Sequence, residues 1–180
     1  CALPIYPMPA WAGEYMKAIC ENLQSPTARE LYQLLDWSDV TGLKKVMKRN
    51  PPNLTLLSEV KKKHPQWLVL IQSGSFYEAA GIDAVILVEY GLQPMGKDNC
   101  PRAGFPKTSL NKYLRMFVNE AQLTVAVYDQ LDDDDPETGK KERSLHGVFS
   151  PGCCDYGDDD AAEDMRMRSE EHTSELQSLA

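Results

Sequence analysis

The run from Trp67 to Ile71 constrains the fold of this chain more than any other feature. It is short and wholly apolar, and it is bounded by His64-Pro65 on one side and Gly74 on the other. Such a bounded run is typical of a buried strand, and the residue before a proline is pushed out of the helical region. A strand that ends in a glycine turn leaves the next side chains, Ser75 to Glu78, projecting from a rim.

The elements around this strand predict an α+β domain that contains a small mixed β-sheet flanked by helices. Apolar residues recur at helical spacing between Leu110 and Val118, which gives the clearest amphipathic helix of the chain. Leu123 to Tyr128 alternates as a strand does, and Pro101 to Pro106 is expected to be a compact, turn-rich segment. Helices are predicted over 54–63, 82–90 and 110–118, and strands over 67–71, 123–128 and 143–150.

Residues 1–53 predict a helical N-terminal extension that ends at the break Asn50-Pro51-Pro52-Asn53. Within it, Thr27-x-x-Glu30 has the spacing of a capping box. Residues 54–153 are assigned to one domain, and the acidic residues 154–167 to a linker. Residues 168–178 resemble the translation of a sequencing adapter, so residues 168–180 are interpreted as a non-native tail. Because the chain starts with Cys1 rather than Met, we expect it to be a fragment.

The net charge of −8 is concentrated at one end of the chain. Residues 131–180 carry fifteen acidic and five basic side chains, whereas residues 61–130 carry eight basic and six acidic ones. The acidity therefore belongs to the C-terminal part, and the central region is mildly basic. Because the charge is unevenly placed, the acidic total does not exclude nucleic-acid binding.

Several classes of function are disfavoured. The five cysteines contain no CxxC pair and form a poor disulfide framework, which favours a reducing compartment. Neither His64 nor His146 has a second ligand at metal spacing, so no metal site is predicted. No apolar run reaches the ~18–20 residues of a membrane span, and no transit peptide is discernible. The sequence has no GxxxxGKS or GxxxxGKT phosphate loop, so neither ATP hydrolysis nor catalytic residues are expected.

Several short segments, in order and with compatible spacing, resemble the N-terminal mismatch-recognition domain of MutS proteins. The resemblance covers about residues 54–153 and follows the family patterns HP, GDFYE, PMAGxP, YL, VAICEQ and TPG. The stretch from Ile82 to Gly96 is most similar to the organellar MutS homologue of plants. The matching segments are His64-Pro65, Gly74 to Glu78, Pro101 to Pro106, Tyr113-Leu114, Val125 to Gln130 and Ser150 to Gly152.

The resemblance implies that Phe76 stacks on a mispaired or unpaired base from the minor groove and that Glu78 hydrogen-bonds this base. The partner is then double-stranded DNA with mismatches or small loops. An aromatic wedge partly unstacks a base step and kinks the duplex, and a mismatched step costs less to open. The other implied site residues are Gly74 and Tyr77 in the same motif, and Arg102, Lys97 and Lys107 as phosphate contacts.

Three positions depart from the family pattern. Ser75 stands where the family has Asp, Gln72 where bacterial members often have Arg, and Arg102 where Met is frequent. Ser75 and Gln72 motivate an alternative, in which the chain is a DNA-binding or protein-interaction domain without mismatch specificity.

Two further alternatives stay open. In the first, Phe76 and Tyr77 begin a core-facing helix and Glu78 is its solvated first-turn acid. In the second, Cys153-Cys154 and His146 form the site of a thiol enzyme.

For the whole protein, the resemblance implies a homo- or heterodimeric ATPase. Its ATP and Mg²⁺ would be bound outside this chain, so this part is expected to hold no cofactor. By itself the chain is expected to bind DNA weakly and in a salt-sensitive way. The subgroup resemblance points to a mitochondrion or plastid, with the nucleus as the alternative.

Overall fold

The computed structural model describes residues 14–43, 52–95, 100–134 and 141–152. The predicted segments 154–167 and 168–180 lie outside these ranges. Short helical turns, Lys107–Ser109 and Met116–Glu120, flank the fifth helix. The elements in chain order are α1 (Glu14–Glu21), α2 (Pro26–Gln33), α3 (Pro52–Lys63), β1 (Leu68–Ser73), β2 (Phe76–Ala80), α4 (Ile82–Glu89), β3 (Arg102–Pro106), α5 (Leu110–Arg115), β4 (Val125–Asp134) and β5 (Lys141–Phe149).

The strands form one mixed sheet in the order β3-β2-β1-β4-β5. β1 runs antiparallel to β2 and parallel to β4, whereas the β2–β3 and β4–β5 pairs are antiparallel. The helices and this sheet confirm the predicted α+β class with a helical N-terminal part.

Two of the strands correct the sequence-based interpretation. Phe76–Ala80 is a strand and not the start of a core-facing helix, so that alternative is wrong. Arg102–Pro106 is also a strand, although it was expected to be a turn-rich segment. Glycine and proline are depleted in strands, but β3 is the outermost strand on its side of the sheet, where a proline is tolerated.

The sheet separates two clusters of buried apolar side chains, and we name its two faces after them. The main-core face packs against α1, α2, α4 and α5; its sheet residues include Leu68, Leu70, Tyr77, Ala79, Val125 and Val127. The α3 face packs against α3; its sheet residues include Val69, Ile71 and Ala80. Because side chains alternate along a strand, Phe76 and Glu78 belong to the α3 face.

A buried ion pair connects α3, β1 and α4. Lys61 Nζ donates to Asp83 Oδ1 at 2.6 Å and to the Trp67 carbonyl at 2.7 Å, and both charged side chains are fully buried. Asp83 Oδ2 accepts from the Val69 N–H at 3.1 Å. Burial raises the pKa of Asp83, and the ammonium of Lys61 opposes that rise. Lys61 therefore adds nothing to the basic surface, although the sequence counts it among the central basic residues.

Ser25, and not Thr27, caps helix α2. Ser25 Oγ accepts from the Ala28 N–H at 3.3 Å, and Pro26 follows it in the first helical turn. A proline is favoured there because its missing N–H has no helical partner in any case. Thr27 lies inside the helix, so the predicted capping box is wrong.

Candidate nucleic-acid interface

The turn between β1 and β2 positions the candidate wedge. Ser73 pairs with Phe76, so Gly74 and Ser75 form a two-residue hairpin loop. Gly74 has a φ of 60°, in the left-handed region, and Ser75 does not. Glycine at the first loop position is characteristic of a type II′ turn, whose twist matches that of the flanking strands. The glycine therefore allows the chain to reverse directly before the aromatic residue.

Two glutamines hold this turn. Gln72 Nε2 donates to the Gly74 carbonyl at 2.9 Å, and Gln72 Oε1 accepts from the Gln130 N–H at 3.1 Å. Gln130 Oε1 accepts from the Gly74 N–H at 3.1 Å. Gln130 was not among the predicted site residues, because the β1–β4 pairing that brings it to the turn joins residues 58 positions apart. Gln72 departs from the bacterial arginine, and here its amide fastens the turn.

Phe76 is the exposed apolar residue at the tip of this hairpin. Its side chain is 38% exposed, although β2 lies between β1 and β3. It pairs with Ser73 on one side and with Pro106 on the other. The ring is therefore held at the end of an interior strand, with neighbouring backbone on both sides and its outer part in solvent.

Glu78 lies two residues further along β2, on the same face as Phe76. It is half-buried, opposite Ile71 on β1 and Gly104 on β3. Position 104 requires glycine, because a Cβ there would lie 2.6 Å from the Tyr77 carbonyl oxygen. Beside Glu78 is a pocket of about 120 Å³, lined by apolar residues of α3 and β1 and by Cys100 and Arg102. The ring and the carboxylate thus project from one face, ~7 Å apart along the strand.

Tyr77 projects to the opposite face and is only 5% exposed. Its hydroxyl donates to Asp129 Oδ1 at 2.5 Å, and Asp129 Oδ2 lies 2.7 Å from His146 Nδ1. Burial, and then the bond to Asp129, raise the pKa of Tyr77. The register between β4 and β5 shifts at this point, so that His146 is an extra residue with no partner in the ladder. Tyr77 therefore fastens β2 to β4 from within the core and does not share a surface with Phe76.

Two of the three implied phosphate contacts, Arg102 and Lys107, lie on the β3 side of Phe76. Lys107 is exposed directly after Pro106, and its N–H donates to the Ser75 carbonyl at 2.9 Å, which keeps it beside the turn. Arg102 is half-buried opposite Ala80 at the far end of β3 and lines the pocket beside Glu78. Lys97 lies outside the described residues. The structure thus brings Lys107 to the turn that carries Phe76 and places Arg102 at the opposite end of the two strands.

The described part of the chain gives no support to a thiol-enzyme site or to a metal site. Cys153 and Cys154 lie outside it, and His146 is engaged with Asp129. Within residues 14–43, 52–95, 100–134 and 141–152, no group of three or more His, Cys, Asp or Glu side chains is placed to hold a metal ion. The helices in those ranges are too short or too polar to cross a membrane.

Residues 52–158 match the family model of MutS domain I. The chain belongs to the MutS family. The matched region starts with helix α3 and includes all strands of the sheet. Domain I is the mismatch-recognition domain of MutS proteins, and the ATPase lies in other parts of those proteins.

Curated MutS relatives come from plants, archaea and bacteria. The "DNA mismatch repair protein MSH1, mitochondrial" of Arabidopsis thaliana is 30% identical over 146 residues, which are 77% of this chain and 13% of that protein. The "DNA mismatch repair protein MutS" of Methanococcoides burtonii is 32% identical over 108 residues, or 56% of this chain and 12% of that protein. The protein of the same name from Bacteroides fragilis is 34% identical over 102 residues, or 52% and 12%. The matched part thus spans about an eighth of the length of these MutS relatives.

Proposed function

We propose that this chain senses mispaired or unpaired bases in duplex DNA by inserting Phe76 from the minor groove, with Glu78 as hydrogen-bond acceptor. The observation that supports this most is the position of Phe76. An aromatic ring that is 38% exposed stands at the tip of a tight hairpin, on a strand whose neighbours on both sides fix its backbone. Membership in the MutS family supports a DNA partner in general terms.

The preorganised backbone favours insertion of the ring. Binding is weaker when the residues of a wedge must first become ordered, because that ordering costs free energy. The turn beneath Phe76 is fixed by the hydrogen bonds of Gln72 and Gln130, so little ordering remains to be done on binding. Stacking of a base on an aromatic ring contributes about 1–3 kcal/mol and tolerates any base. Selectivity then comes from the lower cost of opening a mismatched step.

Glu78 improves the discrimination between mismatched and regular duplexes but lowers the affinity for DNA. A carboxylate near phosphates is repelled by them, so its presence in the interface makes sense where it accepts a hydrogen bond from a base. Its half-buried position, ~7 Å along the strand from the ring, allows it to reach a base beside the wedge. In the minor groove of a regular duplex, A·T pairs present only acceptors and the one base donor is the guanine N2 amino group, so at an A·T step nothing compensates for the repulsion.

The experiment compares Phe76→Ala with Leu131→Ala. Both residues are 38% exposed, but Leu131 follows Asp129 at strand spacing and therefore faces away from the wedge. Affinities of the 180-residue chain are measured by titration for a duplex with one mismatch and for the matched duplex, at low salt. We expect Phe76→Ala to reduce the preference for the mismatch by about 5- to 150-fold, or to abolish it, through loss of stacking. Leu131→Ala should leave this preference unchanged.

Two results would contradict the proposal. An unchanged mismatch preference in Phe76→Ala would favour a DNA-binding or interaction domain without mismatch specificity, as Ser75 and Gln72 suggest. Absence of any duplex binding by the unaltered chain at about 100 µM, the weak limit of ordinary non-specific binding, would remove the DNA function altogether. Nanomolar affinity of the isolated chain would contradict the expected weak binding.

The whole protein is proposed to be a dimeric mismatch-repair ATPase that binds ATP and Mg²⁺ outside this chain. The length of the relatives supports further domains, since this chain matches 12–13% of them. An organellar location is proposed because one relative is named as mitochondrial. Expression of the full-length protein with a fluorescent tag, imaged against mitochondrial and plastid markers, tests this location.

A further inference from the structure

A row of neighbouring residues crosses the α3 face of the sheet at the level of Phe76. On one side Phe76 pairs with Pro106 of β3, and on the other with Ser73 of β1. Gln130 of β4 continues the row, because its side chain accepts from the N–H of Gly74. Gln130 pairs with Arg143 of β5, which ends the row. Tyr128 belongs to the α3 cluster and pairs with Leu145, so residues two positions away, Gln130 and Arg143, share that face.

Arg143 is a half-buried cation that has no counterion among the residues that the structure describes. Its Nη1 donates to the Lys141 carbonyl, and its Nη2 reaches Gln130 Oε1 only at 3.4 Å. Its Nε is buried and has no hydrogen-bond partner. Among the residues that the structure describes, no carboxylate forms an ion pair with it. Burial lowers the pKa of Arg143, which is the expected effect of taking a guanidinium out of water with no neutralising charge.

A fully buried cation next to the sheet shows the contrast. Lys61 is fully buried, and it is neutralised by Asp83 at 2.6 Å. A buried charge is ordinarily paired in this way. The buried Nε cannot reach an anion outside the chain, but Nη1 and Nη2 each carry two N–H groups and use one of them. The two remaining N–H groups suit the bidentate binding of a phosphate. An anion from outside the chain would supply the missing partner.

The geometry points to a specific anion. We propose that Arg143 binds a backbone phosphate of the same duplex that Phe76 enters, on the β5 side of the wedge. This inference rests on the proposed function. Strands are about 4.8 Å apart, so Arg143 stands about 14 Å from Phe76, with Lys107 beside the turn on the opposite side. The minor groove is about 6 Å wide, with the two backbones as its walls. A ring in the groove is then flanked by one cation for each strand of DNA.

The test is the salt dependence of binding, measured on the 180-residue chain with matched and mismatched duplexes. Each phosphate neutralised by a protein cation contributes about 0.9 to the slope of log affinity against log salt. We expect Arg143→Gln to make the slope shallower by about 0.9 and to weaken both duplexes equally, by about 5- to 10-fold at ~0.1 M salt. Arg143→Lys should restore most of the slope. Arg115→Gln is the matched control, because Arg115 is exposed on α5, which packs on the main-core face.

The outcomes separate this inference from the proposed function. If the unaltered chain prefers the mismatch and Arg143→Gln keeps the salt slope of binding, the phosphate contact is overturned and the proposed role of Phe76 is unaffected. If Arg143→Gln keeps the slope but lowers the mismatch preference or the urea midpoint, Arg143 is a structural residue beside Gln130, and the inference is again overturned. If the unaltered chain binds no duplex, both fail. Loss of slope with an unchanged urea midpoint, reversed by lysine, supports the phosphate contact.

Discussion

Gly74 and Gly81 both have a φ in the left-handed region, but they differ in the space that is available for a Cβ atom. Gly81 has a φ of 63°, and a Cβ on it would lie 1.9 Å from the Thr41 carbonyl oxygen. Gly74 has a φ of 60°, and a Cβ on it would meet nothing within 4 Å. We expect Gly81→Ala to destabilise the chain by about 4 kcal/mol or more, because backbone must move, and Gly74→Ala by only about 1–2 kcal/mol of strain. Urea unfolding of both variants measures this, and equal losses would contradict it.

Single residues also show what a sequence reveals about a site. The placement of Phe76 and Glu78 on one face beside a tight turn was predictable, because their motif and the adjacent Gly74 are contiguous and residues two positions apart share a face of any strand. The positions of Gln130 and Arg143 were not predictable, because only the pairing of β4 with β1 and β5 places Gln130 beside the turn and Arg143 opposite Gln130. Lys61 was misjudged for the same reason, since the carboxylate that permits its burial lies 22 positions away on α4.

At the scale of elements, periodicity decided which predictions were correct. Helices α3, α4 and α5 and strands β1, β4 and β5 each carry a local pattern, and the structure confirms their bounds to within three residues, with one exception. Strand β4 continues to Asp134, six residues beyond its predicted end at Tyr128. β2 and β3 carry little pattern of their own, because one ends in two alanines and the other contains glycine and proline. Their mutual pairing, and that of β2 with β1, makes them strands. Such pairing is tertiary information that no window of the sequence contains.

The hydroxyl of Tyr77 connects two of these elements, β2 and β4, and predicts an effect of pH. Its pKa is raised by burial and by Asp129, so the folded chain resists its ionisation. Its contribution to stability is therefore complete below the unfolded pKa of about 10. This contribution is lost as the pH rises through the raised, folded value. The free energy of unfolding should thus fall above about pH 10.

Tyr77→Phe tests this effect. The variant should lose about 1 kcal/mol at pH 7, with the hydrogen bond to Asp129, and its decline above about pH 10 should be less steep. Tyr32, whose pKa burial raises to about 12, keeps part of that decline in both proteins. Urea unfolding at a series of pH values gives the comparison. Parallel curves for the two proteins up to strongly alkaline pH would show that Tyr77 ionises no less readily in the folded state.

At the scale of the whole molecule, the N-terminal helices and the sheet share one core. Met16, Leu23 and Leu35 are at most 5% exposed and belong to the cluster that includes α4 and the main-core face. Glu89, at the end of α4, accepts from the backbone N–H groups of Gln24 and Ser25 at 2.8 and 3.0 Å. The family match begins at residue 52 and therefore leaves out a part of the chain that completes this core.

A chain that starts at Pro52 is expected to lose cooperative folding. Burial of an aliphatic or methionine side chain contributes about 1.5–3 kcal/mol, so Met16, Leu23 and Leu35 together contribute about 5–9 kcal/mol. This sum is comparable with the free energy of unfolding of a whole domain, which is about 5–15 kcal/mol. A chain that starts at Glu14 keeps these contacts and is the matched control. Urea unfolding followed by circular dichroism should give a broad transition, or none, for the Pro52 start and a sharp one for the Glu14 start. An equal midpoint and equal steepness for both would mean that the α1–α2 region is an independent addition to a self-sufficient domain.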